Sequence, residues 1–110
     1  WILDQGCYLG LDRYPGRHVS PHMRTVTLKR LIDMGYGDKL CPSHDCMCLH
    51  LHKETAEGSI PDQHEFQLRN PDQYLFIHNH VIPELVELGV SEETIQSLFV
   101  DNPRRFFGGA

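Results

Sequence analysis

Lys39-Leu40-Cys41-Pro42-Ser43-His44-Asp45 is the stretch on which the fold turns. Its apolar core is short enough to be a buried strand, and it runs out into an acid. Pro42 cannot donate to a strand ladder, so a strand here requires that its nitrogen point away from the neighbouring strand. Alternation along a strand then puts Cys41, Ser43 and Asp45 on one face and His44 on the other.

Upstream, Cys7-Tyr8-Leu9-Gly10-Leu11 has the same character and also ends in charge, at Asp12-Arg13. Before it, Trp1 to Gln5 reads as a last helical turn with Gly6 as its C-cap. Between the two strand candidates, Tyr14-Pro15-Gly16-Arg17-His18-Val19 is a loop, because Pro-Gly breaks regular structure. Ser20-Pro21 then opens a helix, with Ser as N-cap and Pro in the first turn. Leu28, Leu31 and Ile32 give that helix an apolar face, and the reading ends it at Met34 before Gly35. The pattern is strand, helix, strand, which predicts parallel βα units.

Beyond Asp45 the chain is polar and irregular from Cys46 to Gln73, and loops of such length tend to carry function. A helix is expected over Ile82 to Leu88, with Pro83 in its first turn and Gly89 as its stop. Ser91 caps another, with Glu92 and Glu93 at the positive end of its dipole and Ile95, Leu98 and Phe99 as its apolar face. Asn102-Pro103 is read as the end of that helix. Phe106 and Phe107 are expected to pack the last turn beneath the fold, with Arg104 and Arg105 on the surface.

The 110 residues allow one small domain, 40% hydrophobic and 23% charged, with a formal net charge of -5. No basic stripe of the kind that marks a nucleic-acid binder is visible. No apolar run nears the roughly 20 residues that span a bilayer. No signal peptide is visible, and an opening of Trp1-Ile2-Leu3 without Met suggests a segment of a longer protein. The four cysteines, Cys7, Cys41, Cys46 and Cys48, are expected to be free thiols in a reducing, cytoplasmic setting. Two parallel strands make a poor independent sheet, since parallel sheets need both faces covered. The fold class is therefore α/β, as part of a larger sheet or barrel.

In parallel barrels, functional groups project from the strand C-termini. Asp45 stands at such a position, where one carboxylate can bind a divalent cation and accept a proton from water. The competing reading makes it a cap for the next segment.

Four motifs in order, Gly10-Leu11-Asp12-Arg13, Ser43-His44-Asp45, Val81-Ile82-Pro83-Glu84-Leu85 and Asp101-Asn102-Pro103-Arg104-Arg105-Phe106-Phe107, resemble the phosphotriesterase family of the amidohydrolase superfamily. The resemblance covers nearly the whole chain. It implies that residues 1–110 are a C-terminal segment, the last two βα units and terminal helices, of a TIM (β/α)8 barrel, with 46–73 as a long active-site loop. It further implies a metal-dependent hydrolase of lactones or organophosphate triesters, attacking through a hydroxide held by two divalent metal ions, zinc or alternatively iron, cobalt or manganese. Of the family's metal ligands, the one matched here is Asp45, which by resemblance binds a metal and takes the proton. Gly-Leu-Asp-Arg is similar to the lactonase-like branch, which makes Arg13 a substrate-facing residue. Cys46, Met47 and His52 fall where the family shapes its leaving-group or acyl-chain pocket. The expected partner is a small ester or lactone, with a homodimer possible within the family.

Two rival readings stay open. Cys46-x-Cys48-x-His50-x-His52 could make a small Cys/His metal-binding module, although structural zinc sites prefer wider cysteine spacing. The chain could also be a catalytically inactive fragment. His78-Asn79-His80 mimics a metal motif but is read as helix entry.

Overall fold

The computed structural model describes residues 1–16, 18–44 and 70–108. Its centre is a two-stranded parallel sheet, β1 (Leu9–Leu11) beside β2 (Leu40–Pro42), with Leu9 opposite Leu40, Gly10 opposite Cys41 and Leu11 opposite Pro42. Both strands are shorter than the apolar runs that announced them. The ladder continues past β2, where Ser43 N–H donates to Leu11 C=O at 3.1 Å and Tyr14 N–H donates to Ser43 C=O at 3.2 Å. In a parallel ladder one strand turns alternate residues toward a given partner. Since Ser43 faces β1 with its amide, Pro42 N lies on the other edge, where its missing hydrogen costs β1 nothing.

Helix α1 (Pro21–Leu31) crosses back between the strands. Ser20 Oγ accepts the Met23 N–H at 3.3 Å, so the N-cap read from sequence is present. A further turn, Ile32–Tyr36, carries the helix on until Gly35, at φ +90°, breaks it. The left-handed conformation there suits a residue without Cβ.

Three helices follow: α2 (Ile82–Glu87), α3 (Glu92–Gln96) and α4 (Asn102–Gly108). The first two begin where the sequence suggests, at Ile82 and after the Ser91 cap. A wide turn over Ile77–Val81 feeds α2, with Ile82 N–H reaching back five residues to Ile77 C=O. Another over Ser97–Asp101 joins α3 to α4, with Asn102 N–H bonded to Ser97 C=O. Each wide turn stands just before a proline, Pro83 and Pro103. A proline inside a helix donates no bond to the residue four back and its ring presses on that carbonyl. Widening the preceding turn accommodates both effects and lets the helix continue. Asn102-Pro103 therefore does not end the helix, contrary to the sequence reading.

The buried core is Tyr14, Leu28, Leu40, Ile77, Val81, Leu85, Val90 and Leu98, packed between the sheet and the helices. Asn102 is fully buried within it. Its Nδ2 donates at 2.8 Å to both Gly37 C=O and Leu40 C=O, and its Oδ1 accepts from Arg105 Nη2 at 2.5 Å. A single amide thus ties α4 to the entry of β2.

The sheet has unequal faces. Leu40 and Pro42 are buried against the helices, while Gly10 and Ser43 are exposed and Cys41 is half-buried on the other side. Phe106 and Phe107 are 54% and 83% exposed, which corrects the expectation that they pack beneath the fold. Phe106 instead meets Tyr8 edge-on at 5.3 Å between ring centroids. No described helix is long and apolar enough to cross a membrane.

Candidate active site

Because β1 and β2 are parallel, their C-terminal ends lie side by side. Asp12 and Arg13 follow one, Ser43 and His44 the other. The Ser43–Leu11 and Tyr14–Ser43 backbone bonds stitch the two exits together.

Arg13 sits in the left-handed region at φ +66°. A non-glycine residue is disfavoured there, and such conformations gather at functional loops. Its Nε lies 3.4 Å from Asp12 Oδ2, with both side chains largely exposed. A pair so exposed contributes little to stability. Asp12 thus touches Arg13, whose side chain is largely exposed.

The backbone of this loop is anchored from α1. Arg24 Nη1 donates to Asp12 C=O at 2.7 Å. A cleft of about 220 Å³ opens beside it, lined by Leu11, Tyr14, Val19, Arg24 and Thr27. Tyr14 is 2% exposed, and burial pushes its phenol above the usual range.

His44 points to the helical side, as strand alternation requires. Its Nε2 accepts the Ile77 N–H at 3.0 Å, so this nitrogen carries no hydrogen and its lone pair is engaged. Burial disfavours the imidazolium and moves the pKa down. His44 therefore fastens the helical turn Ile77–Val81 to the end of β2, and that nitrogen is engaged there.

Asp45, Cys46, Met47, Cys48, His50 and His52, all singled out from sequence, lie outside the described residues, as does most of the segment 46–73. Its described end is Asn70, which is 2% exposed, followed by the turn that leads into Gln73–Leu75. Cys7 and Cys41 are free thiols, and burial moves the Cys41 pKa up.

The His78-Asn79-His80 segment belongs to the wide turn entering α2. His80 Nε2 lies 2.6 Å from Asp72 Oδ2, and Asn79 Nδ2 donates to Asp72 Oδ1 at 3.1 Å. The His80 bond, then that of Asn79, holds the Asp72 carboxyl below the usual carboxylate range. Among the described residues, no three His, Cys, Asp or Glu side chains converge on a common point that could hold a cation.

Three contacts that matter here are invisible in the sequence: Arg24 to Asp12, His44 to Ile77, and Asn102 to Leu40. Each spans many residues and joins a side chain to backbone. The one partial signal was Asn102-Pro103, read as punctuation when the asparagine is a buried clamp.

A parallel strand–helix–strand unit with its functional loops on the strand C-termini is the repeating piece of an α/β barrel. The comparisons with known proteins agree. The model of the phosphotriesterase family matches residues 1–107, and the chain belongs to that family. It is 37% identical over 109 residues to a phosphotriesterase homology protein of Mycobacterium tuberculosis, covering 96% of this chain and 31% of that protein. It is 36% identical over 108 residues to an aryldialkylphosphatase of Saccharolobus solfataricus, covering 96% of this chain and 32% of the relative. The solved phosphotriesterase from M. tuberculosis superposes with a TM-score of 0.79 at 34% identity, over 96% of this chain and 31% of that one. The chain thus spans about a third of the length of these relatives, and its fold is a part of their barrel.

Proposed function

We propose that this chain supplies one side of a metal-dependent hydrolytic centre acting on lactones and organophosphate triesters. The observation that carries the reading is the asymmetry of β2. One face, Leu40 and Pro42, is filled by the helices, and His44 is spent on Ile77. The other carries the exposed Ser43 and the half-buried Cys41. Strand alternation in the sequence assigns Asp45 to this second face, the one a barrel turns toward its mouth.

The donor chemistry fits a divalent cation in part. A carboxylate is a hard oxygen ligand of the kind such cations take. A catalytic site needs about three protein ligands, and the described residues do not assemble them. Asp45 would be one ligand, beside donors from elsewhere in a complete barrel. When bound, such cations supply Lewis-acid polarisation of the ester and a more acidic water. The chain's own part is proton transfer and binding. The Asp45 carboxylate accepts the proton of the attacking water at an Oδ oxygen. The exposed guanidinium of Arg13 meets the polar end of the substrate. Cys46, Met47 and His52 border the leaving group or acyl chain, where methionine adapts to varied apolar shapes.

The Gly10-Leu11-Asp12-Arg13 signature favours lactones as the principal substrates, with organophosphate triesters as secondary ones. The name of the Saccharolobus solfataricus relative, aryldialkylphosphatase, keeps the triesters in view. The test is hydrolysis of a lactone series and an aryl dialkyl phosphate by the full protein carrying this chain. Turnover of both, lower by about 100-fold or more in Asp45→Asn, is the expected result. Turnover of neither, or undiminished turnover in the variant, would refute the reading.

A further inference from the structure

We propose that Arg24, on the second turn of α1, is a positioning residue that sets the backbone from which Arg13 reaches substrate. The proposal rests on the substrate-facing reading of Arg13. Three contacts fix the guanidinium. Nη1 donates to Asp12 C=O at 2.7 Å, which is the carbonyl of the peptide that enters Arg13. The Tyr14 ring lies 5.9 Å from Arg24 Cζ, close enough for a cation–π contact. Gly16 lies against the other part of the group, so that a Cβ built there would stand 2.5 Å from Arg24 Nε.

Nε is buried and has no hydrogen-bond partner among the described residues, which accords with a group wedged against the loop backbone. Arg24 thus touches residues 12, 14 and 16, the loop positions that flank the left-handed Arg13 at φ +66°. Held on one side by Asp12 C=O, the disfavoured conformation of Arg13 persists only while this anchor is in place. Gly16, at φ +90°, is the residue that leaves room for it.

Two readouts test this on the full protein. The first needs neither metal nor activity: the rate at which trypsin cuts after Arg13, followed by the new N-terminus at Tyr14. Arg24→Gln should speed this cut roughly tenfold, the loss expected for one hydrogen bond from a charged donor. Cleavage after Arg30, on the same helix, should keep its rate. Arg24→Lys retains a donor for Asp12 and should keep most of the protection. The second readout is kinetic. Arg24→Gln should raise KM by a similar factor with kcat nearly constant, and this effect should vanish in an Arg13→Ala background, because Arg24 acts through Arg13.

An unchanged Arg13 cut in Arg24→Gln would overturn the proposal. So would Arg24→Lys as unprotected as Arg24→Gln, cleavage after Arg30 rising in step, or a KM effect of equal size in both backgrounds. A protein that hydrolyses no ester would defeat the hydrolase reading, and the trypsin experiment would still decide the role of Arg24.

Discussion

The two faces of the β1–β2 sheet differ by one residue in register and by nearly everything else. Leu40 and Pro42 are buried, with the Ser97–Asp101 turn and α4 packed on β2, while Gly10 and Ser43 are exposed and Cys41 is half-buried. Because side chains alternate, the same few residues of backbone serve both a core and an open surface. A parallel sheet is stable with both faces covered. The open side therefore marks the region where the rest of a barrel belongs, and the strand ends on that side are where its chemistry collects. The filled face packs on the helices, and the other is the one on which the rest of such a barrel would pack.

Substitution can sharpen this contrast, beginning with the largest effect. Leu40→Ala removes a fully buried side chain and should cost about 2–5 kcal/mol in denaturant unfolding of the protein. Its neighbour Cys41, one residue on and facing the other way, should tolerate Ser at a cost of about 1 kcal/mol or less. Equal losses at the two positions would break the comparison.

Asn102→Ala comes next. It leaves Leu40 C=O and Gly37 C=O without their donor, and desolvated carbonyls so orphaned cost roughly 1–3 kcal/mol in the same measurement. Little change would mean the clamp does not hold β2.

The smallest effect is at His44, and it depends on pH. The folded protein uses the neutral ring, and burial sets its pKa below the ordinary imidazole range. The unfolded chain therefore binds the proton more readily. The stabilisation is present in full above the ordinary histidine pKa and fades as pH falls through the lowered one. The unfolding midpoint should drop between about pH 7 and about pH 5, and part of that drop should disappear in His44→Gln. A variant with the same pH slope as the wild type would remove His44 from the account.

Much of this architecture was legible in the residues. Ser20-Pro21, Gly35, Gly89 and Ser91 mark helix ends because capping is local chemistry, and the structure has Ser20 and Ser91 accepting the Met23 and Thr94 amides. The alternation that separates His44 from Cys41 and Ser43 was also readable, since period-two geometry needs no distant partner. The helix that continues through Pro103 was not. Proline is a local stop signal, and tertiary packing of Ile77, Val81 and Leu98 is what pulls the chain through a widened turn instead. The exposed Phe106 and Phe107 were misread because burial is a property of the packed fold and not of the side chain alone. At the candidate site, Arg13 was singled out by its resemblance to a lactonase signature, whereas its left-handed backbone and its Arg24 neighbour involve contacts that no spacing rule contains.

The central proposal is that Asp45 is a ligand for a divalent cation, and bound metal measures it most directly. Elemental analysis of the full protein should find cations in the wild type, a clear loss in Asp45→Asn, and wild-type content when Cys46 and Cys48 are both changed to Ser. Full metal content in Asp45→Asn, with loss in the double cysteine variant, would contradict the account and place the metal in a Cys/His module instead.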